Sequence, residues 1–553
     1  MSRTRPDFDA PAFTAAASLV SGLSVALLSP IVGVLLLTFS APVPAVAQER
    51  RTFDLLEAGV EEIQAAVDAG ALTYERLVEL YLNRIEAYDD AGPELNAVLE
   101  VHPRALEIAR ERDREYREEG RRSSLHGIPI IFKDVIDVVD IPSAGGNVGL
   151  QGTAPAHDAT VVRKLREAGA IIFAKGNLDE FNLGAEGLSS IGGQTKNPYD
   201  FSRNPGGSSS GPAVAVTSGF ATLGLGTETG ASIRSPASNS SIVGIAPSQG
   251  LVSRAGVIAI SFTHDRIGPH AKSVADAALL LSYMRGFDPE DLLTHASLGR
   301  IDRARYTDRL EVEGLYGARI GLFQDLFREG ERFEPVNETI RDEILALREH
   351  GAVVVPDLTL GMDLVGFFPQ IRHSVPEFRA VFNTYLKRRG PDTPYRTMDE
   401  LWESGEYLPD IEWAFEGALP VDSLQWDPNY LARLENRRTL RRMITELMDR
   451  HELDVLAHPF KSLAAPPLGT GDRGPRDNPV SSGTGLPAIV IPAGVDEDGL
   501  PISIEFLARR FDEPTLIRIG HAYEQATGHR IRPESVPHLE GEVFTYQVDE
   551  GGR

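Results

Sequence analysis

From Ile128 to Gly176 the chain reads "IPIIF", then "DATVVRKLREAGA", then "AIIFAKG". A short apolar run, an amphipathic stretch at helical spacing and a second short apolar run make a strand–helix–strand unit. That order implies an α/β fold built on a sheet. Similar apolar runs recur at "RIGLF", "AVVVPDL", "DVLAHP", "AIVIPAG" and "ISIEFLA". Ahead of the unit, "FDLLEAGVEEIQAAV", "LTYERLVELYLNRIEAY" and the charge-rich "RALEIARERDREYREEG" carry helical periodicity. From about Gly361 to Arg450 the chain is helical, aromatic and charged, with no strand pattern. This segment reads as a helical insertion over the sheet. No charge block, repeat or Gly/Ser linker marks a boundary after Gln48, so residues 48–553 read as a single domain.

The N-terminus is different. "MSRTR" is basic, Leu19 to Phe39 is almost uncharged and strongly apolar, and "APVPAVAQER" has small residues at Ala45 and Ala47. Residues 1–47 therefore read as a signal peptide cut after Ala47, with an uncleaved membrane anchor as the rival reading. Either way the body is expected to be exported. The formal net charge of -25 repels nucleic-acid phosphates and argues against that class of partner. With no cysteine in the chain, disulfides, thiolate catalysis and Cys-based zinc sites are excluded as well.

"GGSSSGPAVAV", Gly206 to Val216, is the first candidate for chemistry. It reads as a linker, as a nucleophile elbow centred on Ser209, or as one wall of a larger site. The elbow needs an apolar strand feeding the turn, and here "TKNPYDFSRNP" precedes it, which is loop chemistry. A linker fits poorly before "PAVAVTSGF", a buried small-residue helix. A second glycine-serine turn follows in "LGLGTETGASIRSPAS", ending its glycine run at Ser232. Upstream, Lys133 closes the apolar run of "LHGIPIIFKDVIDV". An unpaired ammonium is costly to bury, so Lys133 is either a surface lysine paired with Asp134 or a functional group.

Together the three segments resemble the amidase-signature family, whose pattern has a lysine after a "HGIP" strand, a "GGSSGG" loop and a serine in a "TD-x-GGSIR" turn. The likeness continues through "IVGIAPSQGLVSRAGVIAISFTHDRIGPHAKSVADAALLL" and returns in "TGLPAIVIPAGVDEDGLPISIEFLARRFDEPTLIRIGHAYEQAT". The resemblance implies an α/β fold with a large mixed central β-sheet covered by helices on both faces. It also implies a Ser–cisSer–Lys triad, with Ser232 as nucleophile, Ser208 as the bridging serine after a cis peptide bond, and Lys133 as the base. Backbone N–H groups at Thr229, Gly230 and Ala231 would receive the oxyanion, with Ser209 beside them toward the substrate. The expected reaction is hydrolysis of small or peptidic carboxamides, or of anilides, carbamates or esters, through an acyl-enzyme.

Three positions depart from the family pattern: Glu228 for aspartate, Ala231 for the second glycine and Ser210 for a glycine. A methyl at position 231 matters if the turn needs a positive φ there. These departures keep open an exported binding protein with the amidase fold and no turnover. Arg234 is expected to brace the turn through Glu228. His126, His264 and His270 show no metal-ligand spacing and read as structural, so no metal and no cofactor is expected. No obligate protein partner is evident, and the transamidating members of the family fit poorly with export and acidity. The acyl preference is expected to depend on the helical insertion and on the loop "NLGAEGLSSIGGQ".

Overall fold

Apolar runs bounded by turns give the strands of one large mixed sheet in the computed structural model, which describes residues 49–548 apart from 302, 373, 391, 422 and 471–479. The segment read as a signal peptide or anchor, residues 1–47, lies outside the described residues. From Glu49 onward the chain packs as one unit.

Among the described residues the central sheet has eleven strands. In spatial order they are Val353–Leu358, Arg319–Phe323, Val455–Pro459, Pro501–Leu507, Ala488–Val495, Val243–Ala246, Arg266–Ala271, Leu223–Glu228, Pro129–Lys133, Ile171–Gly176 and Val98–Val101. The first three run parallel, as do Leu223–Glu228, Pro129–Lys133 and Ile171–Gly176. The strands between these two groups pair antiparallel. The strand–helix–strand unit is as the sequence predicts: the helix Thr160–Glu167 crosses between two adjacent parallel strands. Ile130, Ile131 and Phe132 are fully buried, as a sheet covered by helices requires.

The stretch read as a helical insertion carries helices at Leu364–Phe367, Ser374–Arg389, Met398–Ser404, Glu412–Ala418 and Pro428–Arg450. An aromatic cluster ties them together, with Phe415 packed on Phe378, Trp402 and Tyr407. Phe382 sets its ring edge-on to Phe181 at 5.2 Å, joining the insertion to the body beside the serine loops. Leu440 and Ile444 bury against Phe323, Leu456 and Leu507 at the sheet.

Two helices differ from the periodicity. In "FDLLEAGVEEIQAAV" the helix begins only at Val60, because Phe53 and Asp54 belong to a strand, Glu49–Asp54, that pairs antiparallel with Val543–Val548. The helix Tyr74–Arg84 ends in a π-helical turn, Ile85–Asp89. Among the described residues no helix is long and apolar enough to cross a membrane.

Candidate active site

Lys133 is the last residue of its strand and is completely buried. Its Nζ donates to Ser208 Oγ at 2.7 Å and to Thr227 Oγ1 at 3.1 Å. Thr227 Oγ1 in turn donates to Asn182 Oδ1 at 3.2 Å. Burial draws the Lys133 pKa down to about 7, against the opposing pull of Asp179, Asp265 and Glu228 at longer range. The surface pairing with Asp134 is not what forms. Asp134 lies 3.5 Å from Lys175 and accepts from the N–H groups of Ala144 and Gly146.

The serine loop is held from both sides. A Cβ added to Gly207 would come 2.1 Å from Asp179 Oδ2 and 2.6 Å from Ala185 Cα, so only glycine fits before Ser208. The Gly207–Ser208 peptide bond is cis. Ser208 accepts the Asp179 N–H on its carbonyl at 3.2 Å. Ser209 donates its N–H to the Ser232 carbonyl at 3.2 Å, which stitches the two serine loops together.

The elbow reading fails on this geometry. A loop, not a strand, leads into Ser209, and its hydroxyl is committed to the backbone of one residue. It donates to Thr227 O at 3.0 Å and accepts from Thr227 N at 3.1 Å. Ser209, expected beside the oxyanion donors, is fully buried and is not among the described residues lining the cavity. The helix Ser210–Thr217 then carries the small-residue run under the sheet.

The second turn leaves the strand Leu223–Glu228 and enters the short helix Arg234–Asn239. Among the described residues, none of the backbone N–H groups from Thr229 to Ser232 donates to another group. Neither Gly230 nor Ala231 takes a positive φ, so the alanine sits without strain. Glu228 shapes the turn from inside. Its Oε2 accepts from the N–H groups of Ile233 and Arg234, while its carboxylate pairs with the Arg234 and Arg266 guanidiniums. Burial pushes the Glu228 pKa up, but the two arginines pull harder and hold it below the usual carboxylate range. Arg234 braces the turn as expected, donating also to Gly230 O at 2.9 Å and to Glu505 at 2.7 Å. Burial raises Glu505 to about 7 despite that pairing.

A third layer was not visible in the sequence. Asp265 accepts from the Thr229 hydroxyl at 2.6 Å and from the N–H groups of Ile260 and Ser261. Glu377, on the insertion, accepts from the Thr263 hydroxyl at 2.6 Å and from the Tyr430 hydroxyl at 2.8 Å. Thr227, Asn182 and Asp265 stand inside quoted stretches that gave them no role, and Glu377 stands in none.

Ser232, Thr229, Gly230, Ala231 and Gly207 open onto a cavity of about 390 Å³. Its wall is completed by Asn182 to Ala185, by Ser482 and Gly483, and by Arg372, Ser374, Val375, Pro376, Trp413 and Arg433 of the insertion. Of the three histidines, His270 Nε2 donates to Ile233 O at 2.8 Å and His126 Nε2 to Arg112 O at 3.0 Å, both structural bonds. His264 lines the cavity. No cluster of three or more metal-ligating side chains occurs among the described residues. The cavity thus presents Ser232 in a turn of undonated N–H groups, on a loop stitched to that of Ser208, which accepts from a buried lysine.

The sequence profile of the amidase family matches residues 76–517. A probable amidase of Arabidopsis thaliana is 35% identical over 505 residues, covering 88% of this chain and 93% of its own. A glutamyl-tRNA(Gln) amidotransferase subunit of Chloroflexus aurantiacus is 35% identical over 501 residues, covering 86% of this chain and 98% of its own. The crystal structure of native peptide amidase from Stenotrophomonas maltophilia superposes with a TM-score of 0.79 at 38% identity, covering 86% of this chain and 98% of its own. With most of its length matched in sequence and in fold, the chain belongs to the amidase family, the amidase-signature enzymes.

Proposed function

We propose that this amidohydrolase cleaves peptide-terminal and other small carboxamides through Ser232, Ser208 and Lys133. The observation that carries the reading is a lysine ammonium buried 2.7 Å from Ser208 Oγ with its pKa drawn to about 7. A lysine is a base only when neutral, and this one is neutral in a large fraction of molecules at physiological pH. Neutral Lys133 accepts the Ser208 proton while Ser208 takes the Ser232 proton, and Ser232 Oγ forms the new bond to the carbonyl carbon. Negative charge then develops on the carbonyl oxygen, where the free N–H groups of the Thr229–Ser232 turn stabilise it. Such donors are each worth roughly 3–4 kcal/mol of barrier. The proton returns from Lys133 through Ser208 to the departing nitrogen, the C–N bond breaks, and an acyl-Ser232 ester remains. Water, activated by the same relay, hydrolyses that ester and restores the serine.

The peptide end of this substrate range rests on the likeness to peptide amidase. A role on charged tRNA, suggested by the name of the amidotransferase relative, is opposed by the net charge of -25. Export completes the proposal, on the strength of the basic start, the apolar run and the small residues before Gln48.

A fluorophosphonate probe followed by peptide mapping tests the reading. The adduct is expected on Ser232, and Ser232→Ala is expected to abolish labelling and turnover together. Ser208→Ala is expected to cripple turnover while leaving slow labelling, because an activated leaving group needs no proton. An adduct on the peptide carrying Ser209, or no labelling of folded protein, overturns it; the second result would favour a binding protein without turnover.

A further inference from the structure

The cavity's charge is one-sided. Among the described residues lining it, Arg372 and Arg433 carry the charge, and no aspartate or glutamate joins them. The insertion's other arginines beside them are all committed. Arg379 pairs with Asp399, Arg389 donates to Ser143 and Thr153, and Arg437 donates to carbonyls of Thr263, Ser482 and Gly483. Arg372 and Arg433 make no ion pair with any described carboxylate. The carboxylates nearest the chemistry face other partners: Asp179 accepts from the Glu186 N–H, Glu228 pairs with two arginines, Asp265 accepts from Thr229 and two N–H groups, and Glu377 accepts from Thr263 and Tyr430. This stands out in a chain of net charge -25, whose overall field keeps anions away.

Resting on the hydrolytic reading above, we infer that Arg372 and Arg433 form an anion subsite, and that the preferred substrates are carboxamides bearing a carboxylate on the acyl side, such as amides of acidic peptides. A guanidinium gives a carboxylate two parallel N–H donors and so fixes its orientation as well as its charge. Trp413, 47% exposed on the same wall, offers an apolar face for the chain that joins the carboxylate to the scissile amide. The insertion thus supplies recognition, while the serine loops and Lys133 supply the bond chemistry. No side chain of the subsite touches Lys133, Ser208 or the turn in any bond described above, so the two functions are separable by mutation.

The test compares kcat/KM for N-acetyl dipeptide amides that differ only in carrying Glu, Met or Lys before a constant C-terminal alanine amide. Loss of the terminal amide is followed by mass spectrometry. The wild-type enzyme is expected to prefer Glu over Met by about tenfold, the size set by two part-exposed charge-assisted contacts, and to prefer Lys least. High salt is expected to shrink the preference, since exposed charges are screened. In the Arg372→Gln/Arg433→Gln variant the Glu substrate is expected to fall to the level of Met. Arg433→Glu is expected to raise the Lys substrate above the Glu one. Equal wild-type rates for Glu and Met, or a preference that survives removal of both arginines, overturns the subsite and leaves amide hydrolysis standing. If none of the three amides is cleaved, the hydrolytic reading falls and the subsite with it.

Discussion

In the proposed mechanism Lys133 has to be both buried and basic, and the two demands support each other. Desolvation disfavours the ammonium, and no carboxylate stands close enough to restore it, so the pKa settles at about 7. The sign of the resulting pH dependence follows directly. Below that value Lys133 is protonated and cannot accept the Ser208 proton; above it the amine is free. The logarithm of kcat/KM is therefore expected to rise with pH through an ionisation near 7 and then level off. Lys133→Ala is expected to lose at least about a hundredfold in kcat, the lower bound for a general base, while keeping its fold. A pH–rate profile and a thermal melt check the two halves. A flat profile between pH 5 and 9 would remove lysine from the mechanism. Ser209 makes the contrasting case, since it is as buried as its neighbour yet holds backbone, not protons. Ser209→Ala leaves the Thr227 N–H and carbonyl without their side-chain partner, a loss of about 1–3 kcal/mol in unfolding free energy with labelling of Ser232 retained.

Between residues and the whole lie the elements, and here legibility was uneven for physical reasons. Strands such as Pro129–Lys133 and Pro501–Leu507 were readable because both faces are covered and the runs are rich in apolar residues. Leu223–Glu228 and Arg266–Ala271 were not, because glycines required by close packing interrupt their apolar pattern. A Cβ on Gly226 would come 2.9 Å from Ser209 Oγ, and one on Gly268 would come 2.0 Å from Ile245 O. A strand pressed against a loop or a neighbouring backbone loses the apolar pattern that would announce it. The site divides the same way. Lys133, Ser208 and Ser232 stand in short contiguous motifs, whereas Asp265, Glu377 and the two cavity arginines meet the site only through folding. Glu377 shows what such a residue does. From the helix Ser374–Arg389 it grips Ser261 and Thr263, and four residues further on from Ser261 Asp265 holds the Thr229 hydroxyl of the turn before Ser232, the proposed oxyanion donor. Glu377 acts as a positioning residue. Glu377→Ala is expected to reduce kcat about tenfold or more with little change in KM, as a misplaced oxyanion donor would, and Glu377→Gln to restore part of it. An equal fall in both variants, or a change confined to KM, would assign Glu377 to packing or to substrate contact instead.

On the scale of the molecule, the described body closes on itself where the exported form is expected to begin. The strand Glu49–Asp54 lies antiparallel to Val543–Val548, in register from Glu49 with Val548 to Asp54 with Val543. Phe53 and Phe544 stack with ring centroids 4.9 Å apart, and Phe53 is buried in the main core. Behind this ribbon, Arg84 is fully buried and donates to Glu542 at 2.7 Å, as well as to the carbonyls of Val536, Pro537 and Ser218. The first and last segments of the body thus hold each other, and a cut after Ala47 falls just ahead of the first paired residue. Removing residues 1–47 is therefore expected to leave kcat/KM and the denaturation midpoint unchanged. Removing residues 1–54 is expected to behave differently, because it takes the whole strand, unpairs Val543–Val548 and exposes the Phe544 face. Deleting one buried phenylalanine alone typically costs about 3–5 kcal/mol, so this second truncation should unfold at clearly lower denaturant. Urea unfolding of the two truncations beside the full chain, with activity measured on each, makes the comparison. A loss of stability or turnover already in the first truncation would show that the apolar N-terminal segment is part of the working enzyme, and would count against its removal on export.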